Sequence, residues 1–124
     1  MKILLVLTII LVNSAPVVQV AEFSFKDRNQ RYSGKVKEGI TVSFDYEFEN
    51  TGDAPLIITD YKVSCGCTHV IYPKEPVLPG KTGVIKVTFD TKGKIGYQDR
   101  KIEIISNASK GPHYLRFRVM VDNK

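Results

Sequence analysis

Two cysteines separated by one glycine are the residues of this 124-residue chain whose type and spacing could do chemistry. Cys65 and Cys67 flank Gly66, and the sequence holds no other cysteine. In an oxidising compartment, two thiols this close would be expected to pair. If the segment is extended, however, their Cα atoms lie about 6.6 Å apart, which is the wide limit for a disulfide. A bond therefore needs a local bend, which the glycine permits.

A metal site is a second interpretation of the same segment. His69 has the same parity as Cys65 and Cys67, so an extended strand would place two sulfurs and one imidazole on one face. Copper(I) or zinc would accept this set, although it supplies only three ligands. A third interpretation is that both cysteines are small apolar side chains packed at a strand end. The residues leave all three interpretations open: packing, a disulfide or redox pair, and a metal site.

No other group of residues indicates an enzyme or a cofactor. His113 stands alone, and the sequence has neither a supported Ser-His-Asp arrangement nor a nucleophile elbow. Asp90 and Asp99 flank a glycine-containing loop without the ligand spacing of an EF-hand, which is typical of solvated turn residues. We therefore expect a protein that is not an enzyme, with no catalytic residues and no cofactor.

The elements that position the cysteines are strands, because apolar residues recur at every second position along most of the chain. The clearest run is 41–49, and similar alternation marks 84–90, 101–104 and 115–121, with weaker runs at 23–25 and 32–36. We predict that these strands share one core, which includes Phe44, Phe48, Val87, Phe89, Phe117 and Val119. A further run, 56–64, has Ile57, Thr59, Tyr61 and Val63 in one phase, and we predict that it neighbours 41–49. About seven short strands predict an all-β, immunoglobulin-like two-sheet sandwich over residues 22–124.

The N-terminus predicts export. Met1-Lys2 is followed by the apolar run 3–12 and then by Asn13-Ser14-Ala15-Pro16, which is the pattern of a signal peptide. This run is shorter than the about 20 residues that a membrane span needs. The alternative is an uncleaved anchor, in which Val17, Val18 and Val20 extend the run beyond Pro16. We favour cleavage and expect no stable membrane insertion after it. We predict a signal peptide over residues 1–21, cleaved after Ser14 or after Ala21, and a periplasmic or extracellular location.

The charge pattern does not favour a nucleic-acid partner. The net charge is +5, but lysines and arginines are scattered among acidic residues, and no basic run or aromatic platform accompanies them. Hydrophobic residues make up 43% and charged residues 25% of the chain, which is typical of a soluble globular domain.

Several short motifs in a fixed order carry a resemblance to a known family. They are Val63-Ser64-Cys65-Gly66-Cys67-Thr68, Pro73-Lys74-Glu75-Pro76, Pro79-Gly80, Phe89-Asp90-Thr91-Lys92-Gly93 and Ser106-Asn107-Ala108. Over about residues 30–122 the chain resembles the bacterial family called domain of unknown function 1573. The resemblance implies an immunoglobulin-like module, similar in style to the domains of the major sperm protein and of cilium-associated proteins, and common among exported proteins of Bacteroidetes. It offers no counterpart for His69, because the family pattern ends at Thr68.

These observations predict a non-enzymatic binding or structural module of the bacterial cell envelope, whose partner is another envelope protein. The alternative is thiol redox chemistry or soft-metal (copper or zinc) handling at Cys65-Gly66-Cys67. Carbohydrate recognition through exposed tyrosines is a third, weaker hypothesis.

Overall fold

The computed structural model describes residues 8–13, 15 and 18–123. These residues form eight strands, β1 (Phe23–Phe25), β2 (Asn29–Lys37), β3 (Thr41–Asn50), β4 (Ile58–Lys62), β5 (Thr68–Ile71), β6 (Thr82–Asp90), β7 (Gly96–Ser106) and β8 (His113–Asp122). In this part of the chain no helix is long and apolar enough to cross a membrane. The predicted signal peptide, residues 1–21, lies partly outside the described residues. Its candidate cleavage residue Ser14 lies outside them as well.

Two four-stranded sheets face each other. The first has the strand order β1-β3-β6-β5 and the second the order β2-β8-β7-β4. All pairs are antiparallel except β2 with β8, which are parallel. The prediction of an all-β, immunoglobulin-like sandwich is confirmed, with eight strands in place of about seven.

The core lies between the sheets because every second residue of the long strands points inward. All six predicted core residues are buried: Phe44, Phe48, Val87, Phe89, Phe117 and Val119. The ring of Phe117 on β8 lies 4.9 Å from that of Phe44 and 5.2 Å from that of Phe89, centroid to centroid. Phe117 therefore joins the second sheet to two strands of the first.

One predicted strand pair is wrong. Run 56–64 does not neighbour β3, because β4 pairs with β7 in the second sheet while β3 pairs with β1 and β6 in the first. The turn-rich residues between β3 and β4 carry the chain from one sheet to the other. Alternation specifies which face of a strand is apolar, but it does not specify the partner strand.

The predicted phase of that run is also wrong in its first half. Leu56 and Ile58 are buried, whereas Ile57 is 41% exposed. The register with β7 shifts between Ile58 and Asp60, and beyond the shift Tyr61 and Val63 pack against the core. A β-bulge adds one residue to a strand and so reverses its parity, which is why one phase could not fit the whole run.

Candidate functional site

The two cysteines lie in a bend between β4 and β5. A disulfide joins Cys65 to Cys67, and their Cα atoms are 5.2 Å apart, closer than in an extended segment. The Thr68 amide donates to the Cys65 carbonyl at 3.2 Å, and the Asp90 amide donates to the Cys67 carbonyl at 2.9 Å. These bonds fix the bend against the end of β6, and both cysteines are half-buried.

His69 lies apart from this pair. It is exposed on β5, between the buried residues Thr68 and Val70, and therefore points away from the core. Among the residues that the structure describes, no three His, Cys, Asp or Glu side chains gather closely enough to hold a metal ion. The structure thus brings Cys65 and Cys67 together and leaves His69 outside their group, because the bend at Gly66 breaks the parity that an extended strand would keep.

The outer face of the second sheet is a mainly basic surface. Its outward positions on β2, β4, β7 and β8 carry more basic than acidic side chains, and we call it the basic face. The basic side chains are Arg31, Lys35, Lys37, Lys62, Lys101, Arg116 and Arg118, and the acidic ones are Asp60, Asp99, Glu103 and Asp122. The neighbours in this set come from strands far apart in sequence.

The interpretation of Asp99 as a solvated turn residue is wrong, because Asp99 lies within β7 on the basic face and is paired with arginines. Arg116 binds both of its oxygens, with Nε 2.7 Å from Oδ1 and a terminal nitrogen 2.5 Å from Oδ2. Arg118 Nε lies 3.6 Å from the same Oδ2. The hydrogen bond from Arg116 is the largest cause that lowers the pKa of Asp99, so this carboxyl stays ionised at neutral pH. One carboxylate therefore serves two guanidinium groups.

A cavity of about 190 Å³ opens on the basic face beside this cluster. Its walls include Arg31, Tyr32, Tyr97, Arg118 and Met120. Arg31 on β2 and Arg118 on β8 occupy the same register position on neighbouring strands. The Tyr97 side chain is 54% exposed and that of Met120 37%, so both are open to a partner.

The outer face of the first sheet has the opposite charge, and we call it the acidic face. Its outward positions on β3 and β6 carry Asp45, Glu47, Glu49 and Asp90 against Lys86. A shallow cavity of about 400 Å³ lies on it, partly bounded by the two glutamates. The two outer faces of the sandwich therefore carry opposite charge.

Sequence reasoning did not find the basic face. The outward direction of Arg116 and Arg118 followed from the alternation of β8, but Arg31, Tyr97 and Met120 had no signal of their own. Alternating polar residues are typical of any solvated sheet face. Only the pairing of β2 and β7 with β8 brings these side chains into one surface.

Comparison with known structures supports the fold. A protein of unknown function from Porphyromonas gingivalis W83 is similar with a TM-score of 0.64 at 16% identity, covering 88% of this chain and 50% of that one. The VesB protease of Vibrio cholerae has a TM-score of 0.61 at 18% identity, covering 82% of this chain and 32% of that one. The chain thus spans half of the first protein and about a third of the second.

A third similar structure is the human ASH/PapD-like domain 7 of CEP192, with a TM-score of 0.58 at 13% identity, covering 90% of this chain and 92% of that domain. At these identities the likeness shows the fold alone. No curated protein sequence matches the chain. The model of one family, described as protein of unknown function (DUF1573), matches residues 23–121, which is nearly the whole sandwich. The chain therefore belongs to the DUF1573 family, as its motifs predicted.

Proposed function

We propose that this chain is a non-enzymatic, exported module of the bacterial cell envelope that binds another protein through its basic face. The observation that carries the proposal is the concentration of exposed Tyr and Met side chains among arginines on that face. These residue types are enriched at protein interfaces, where aromatic and guanidinium groups supply large contact areas and directed hydrogen bonds. Export and the envelope location rest on the N-terminal apolar run and on the family resemblance.

The basic face is suited to binding because a rigid core supports it. Inward residues of β8 pack on the first sheet, so their outward neighbours stand on a fixed backbone. Lys101 Nζ lies 4.2 Å from the ring centroid of Tyr114, which helps to hold that exposed ring in place. Side chains that are ordered before binding lose less entropy when a partner arrives.

Co-purification from envelope extract tests the proposal. The bait carries either the native sequence or Tyr97→Ser with Met120→Ser, and the matched control carries Ile71→Ser with Val84→Ser on the acidic face. All four side chains are exposed, so each change should leave the fold intact. We expect quantitative mass spectrometry to find a partner that the control retains and the basic-face variant loses. No enrichment over an unrelated sandwich domain would refute the proposal.

Thiol redox chemistry at Cys65 and Cys67 is a second candidate function, which a specific contact favours. The backbone amide of Cys67 lies 3.2 Å from Cys65 Sγ. In the structure this sulfur belongs to the disulfide. If the amide keeps its position on reduction, it would donate to the Cys65 thiolate, which is the form that exchanges with other disulfides and binds soft metals.

The replacements Cys65→Ser and Cys67→Ser test this second candidate. Redox activity predicts that the native protein interconverts between its dithiol and its intramolecular disulfide in a glutathione buffer. Each variant retains one thiol and should form only a mixed disulfide with glutathione. Metal handling predicts that only the reduced native protein competes with a chelator for copper(I). Redox exchange no faster than that of an unfolded CGC peptide, together with no copper(I) uptake, would exclude the function.

A further inference from the structure

We infer that the protein partner presents an acidic patch to the basic face and places one carboxylate side chain between Arg31 and Arg118. This inference rests on the proposed function and names the chemistry of its partner. The site is the cavity of about 190 Å³ that these two arginines share with Tyr32, Tyr97 and Met120.

The first argument is electrostatic. Arg31 and Arg118 lie at one register position on adjacent strands, and like charges in that arrangement repel each other. Asp99, the carboxylate that pairs with Arg118, already uses both of its oxygens to bind Arg116. Arg31 has no carboxylate partner among the described residues, so this corner of the face carries excess positive charge. An incoming carboxylate would remove the repulsion.

The second argument concerns the hydrogen-bond donors of Arg118. Arg118 shares the carboxylate of Asp99 with Arg116, and its Nε lies 3.6 Å from Asp99 Oδ2, too far for a hydrogen bond. The Arg118 side chain as a whole is 31% exposed, and a guanidinium donates two parallel hydrogen bonds to a carboxylate. The exposed ring of Tyr97, which lines the same cavity, can cover such an ion pair and reduce its contact with water. The cavity therefore offers both charge and shape to a glutamate or aspartate side chain.

The charge of the whole molecule decides between a foreign partner and a second copy. The acidic face of another copy would complement the basic face, but each copy carries a net charge of +5, or +4 once Lys2 is removed with the predicted signal peptide, and repels the next. The same net charge attracts an acidic partner over distances of about a Debye length. An anionic lipid surface fits less well, because Asp60 and Glu103 are spread over the same face and would meet the headgroups.

Titration with an acetylated hexaglutamate amide, followed by backbone NMR shifts, tests the inference. We expect the largest shifts in β2, β7 and β8, and binding that weakens as salt is raised. Arg31→Gln with Arg118→Gln should weaken binding at least tenfold. The matched control, Lys26→Gln with Lys86→Gln, lowers the net charge by the same amount away from the basic face and should weaken it less than threefold. Arg31→Lys with Arg118→Lys keeps the charge but loses the two parallel hydrogen bonds that a guanidinium donates. Its loss of affinity should lie between those of the two glutamine variants.

Five outcomes would overturn the inference. Equal weakening in both glutamine variants would mean that only net charge matters. Inorganic phosphate that binds as tightly as the peptide and competes with it would make the cavity a small-anion site. Arginine-dependent binding to vesicles with anionic lipid, but not to the peptide, would indicate a membrane surface. Concentration-dependent shifts of the protein alone on the basic face would indicate a second copy. A partner from envelope extract retained equally by the arginine variant would refute this site while leaving the proposed function intact.

Discussion

The hydroxyl of Tyr46 on β3 crosses the sandwich and donates a hydrogen bond to the backbone carbonyl of Arg116 on β8, with an O···O distance of 2.8 Å. Tyr46 is fully buried. On the other side of β8, the Arg116 side chain binds Asp99 on the basic face. A polar contact in the core thus fixes the backbone position from which the basic face is built.

Tyr46→Phe should destabilise the fold by about 1 to 2 kcal/mol, because it removes the donor and leaves the Arg116 carbonyl without this partner. Denaturant melts at pH 7 measure the change. Tyr97→Phe removes an exposed hydroxyl and serves as the control, with an expected change below about 0.5 kcal/mol. Equal effects of the two substitutions would show that the bond across the core does not stabilise the sandwich.

Stability should fall at high pH because burial raises the pKa of Tyr46 well above its usual range. Above about pH 10, the unfolded state releases the tyrosine proton and the folded state retains it, so the free energy of unfolding decreases as pH rises. One such group contributes up to about 1.4 kcal/mol per pH unit. In denaturant melts at pH 9 to 11, the free energy of unfolding should decline less steeply for Tyr46→Phe than for the native protein. Parallel declines would show that Tyr46 is not the group responsible.

Reduction of the disulfide should change stability only slightly. The bond closes a loop with a sequence separation of 2, and the chain-entropy model gives about 1.6 kcal/mol at most for so short a loop. We therefore expect dithiothreitol to lower the free energy of unfolding by less than about 1.6 kcal/mol. Metal-free denaturant melts with and without reductant provide the measurement. A collapse of the folded state on reduction would make the pair a structural brace.

The expected signal peptide should be cleaved before Val20, because residues 20 and 21 belong to the sandwich. The Val20 carbonyl accepts from the amides of Asp53 and Ala54 at 2.9 and 3.3 Å, and the Ala21 carbonyl accepts from the Ser109 amide at 2.8 Å. Ala21 is also buried. A chain that begins at Glu22 should lose about 2 kcal/mol relative to one that begins at Ala15.

The contacts of Val20 and Ala21 with the sandwich favour cleavage after Ser14 over cleavage after Ala21. The intact mass of the protein isolated from its native envelope decides between them. A mature chain that begins at Glu22 with undiminished stability would contradict the prediction.

The sequence predicted most of the fold because the long strands alternate without interruption. Phe44 on β3, Phe89 on β6 and Phe117 on β8 were placed in the core by parity alone, and they are buried. The predicted parity failed at Ile57 because the register shifts between Ile58 and Asp60, and parity could not identify β7 as the partner of β4. Which strands pair depends on how the connections cross between the sheets, and turn residues do not encode that path.

The candidate sites were less predictable than the fold. The sequence around Cys65 and Cys67 is equally compatible with an extended segment and with a bent one. The residues alone therefore left three interpretations open. The basic face depends on Arg31, Tyr97 and Met120 coming together from three strands. Such a surface exists only after pairing, and each of its residues is unremarkable in isolation.

Photo-crosslinking at position 97 tests the central claim most directly. A benzoylphenylalanine is placed at Tyr97 on the basic face or, as the control, at Val84, which is 46% exposed on the acidic face. The protein is then irradiated in its native envelope. If the basic face binds another protein, position 97 should yield a discrete adduct of higher mass and position 84 should not. Equal adducts from both positions, or none from position 97 when the protein is correctly folded, would contradict the claim.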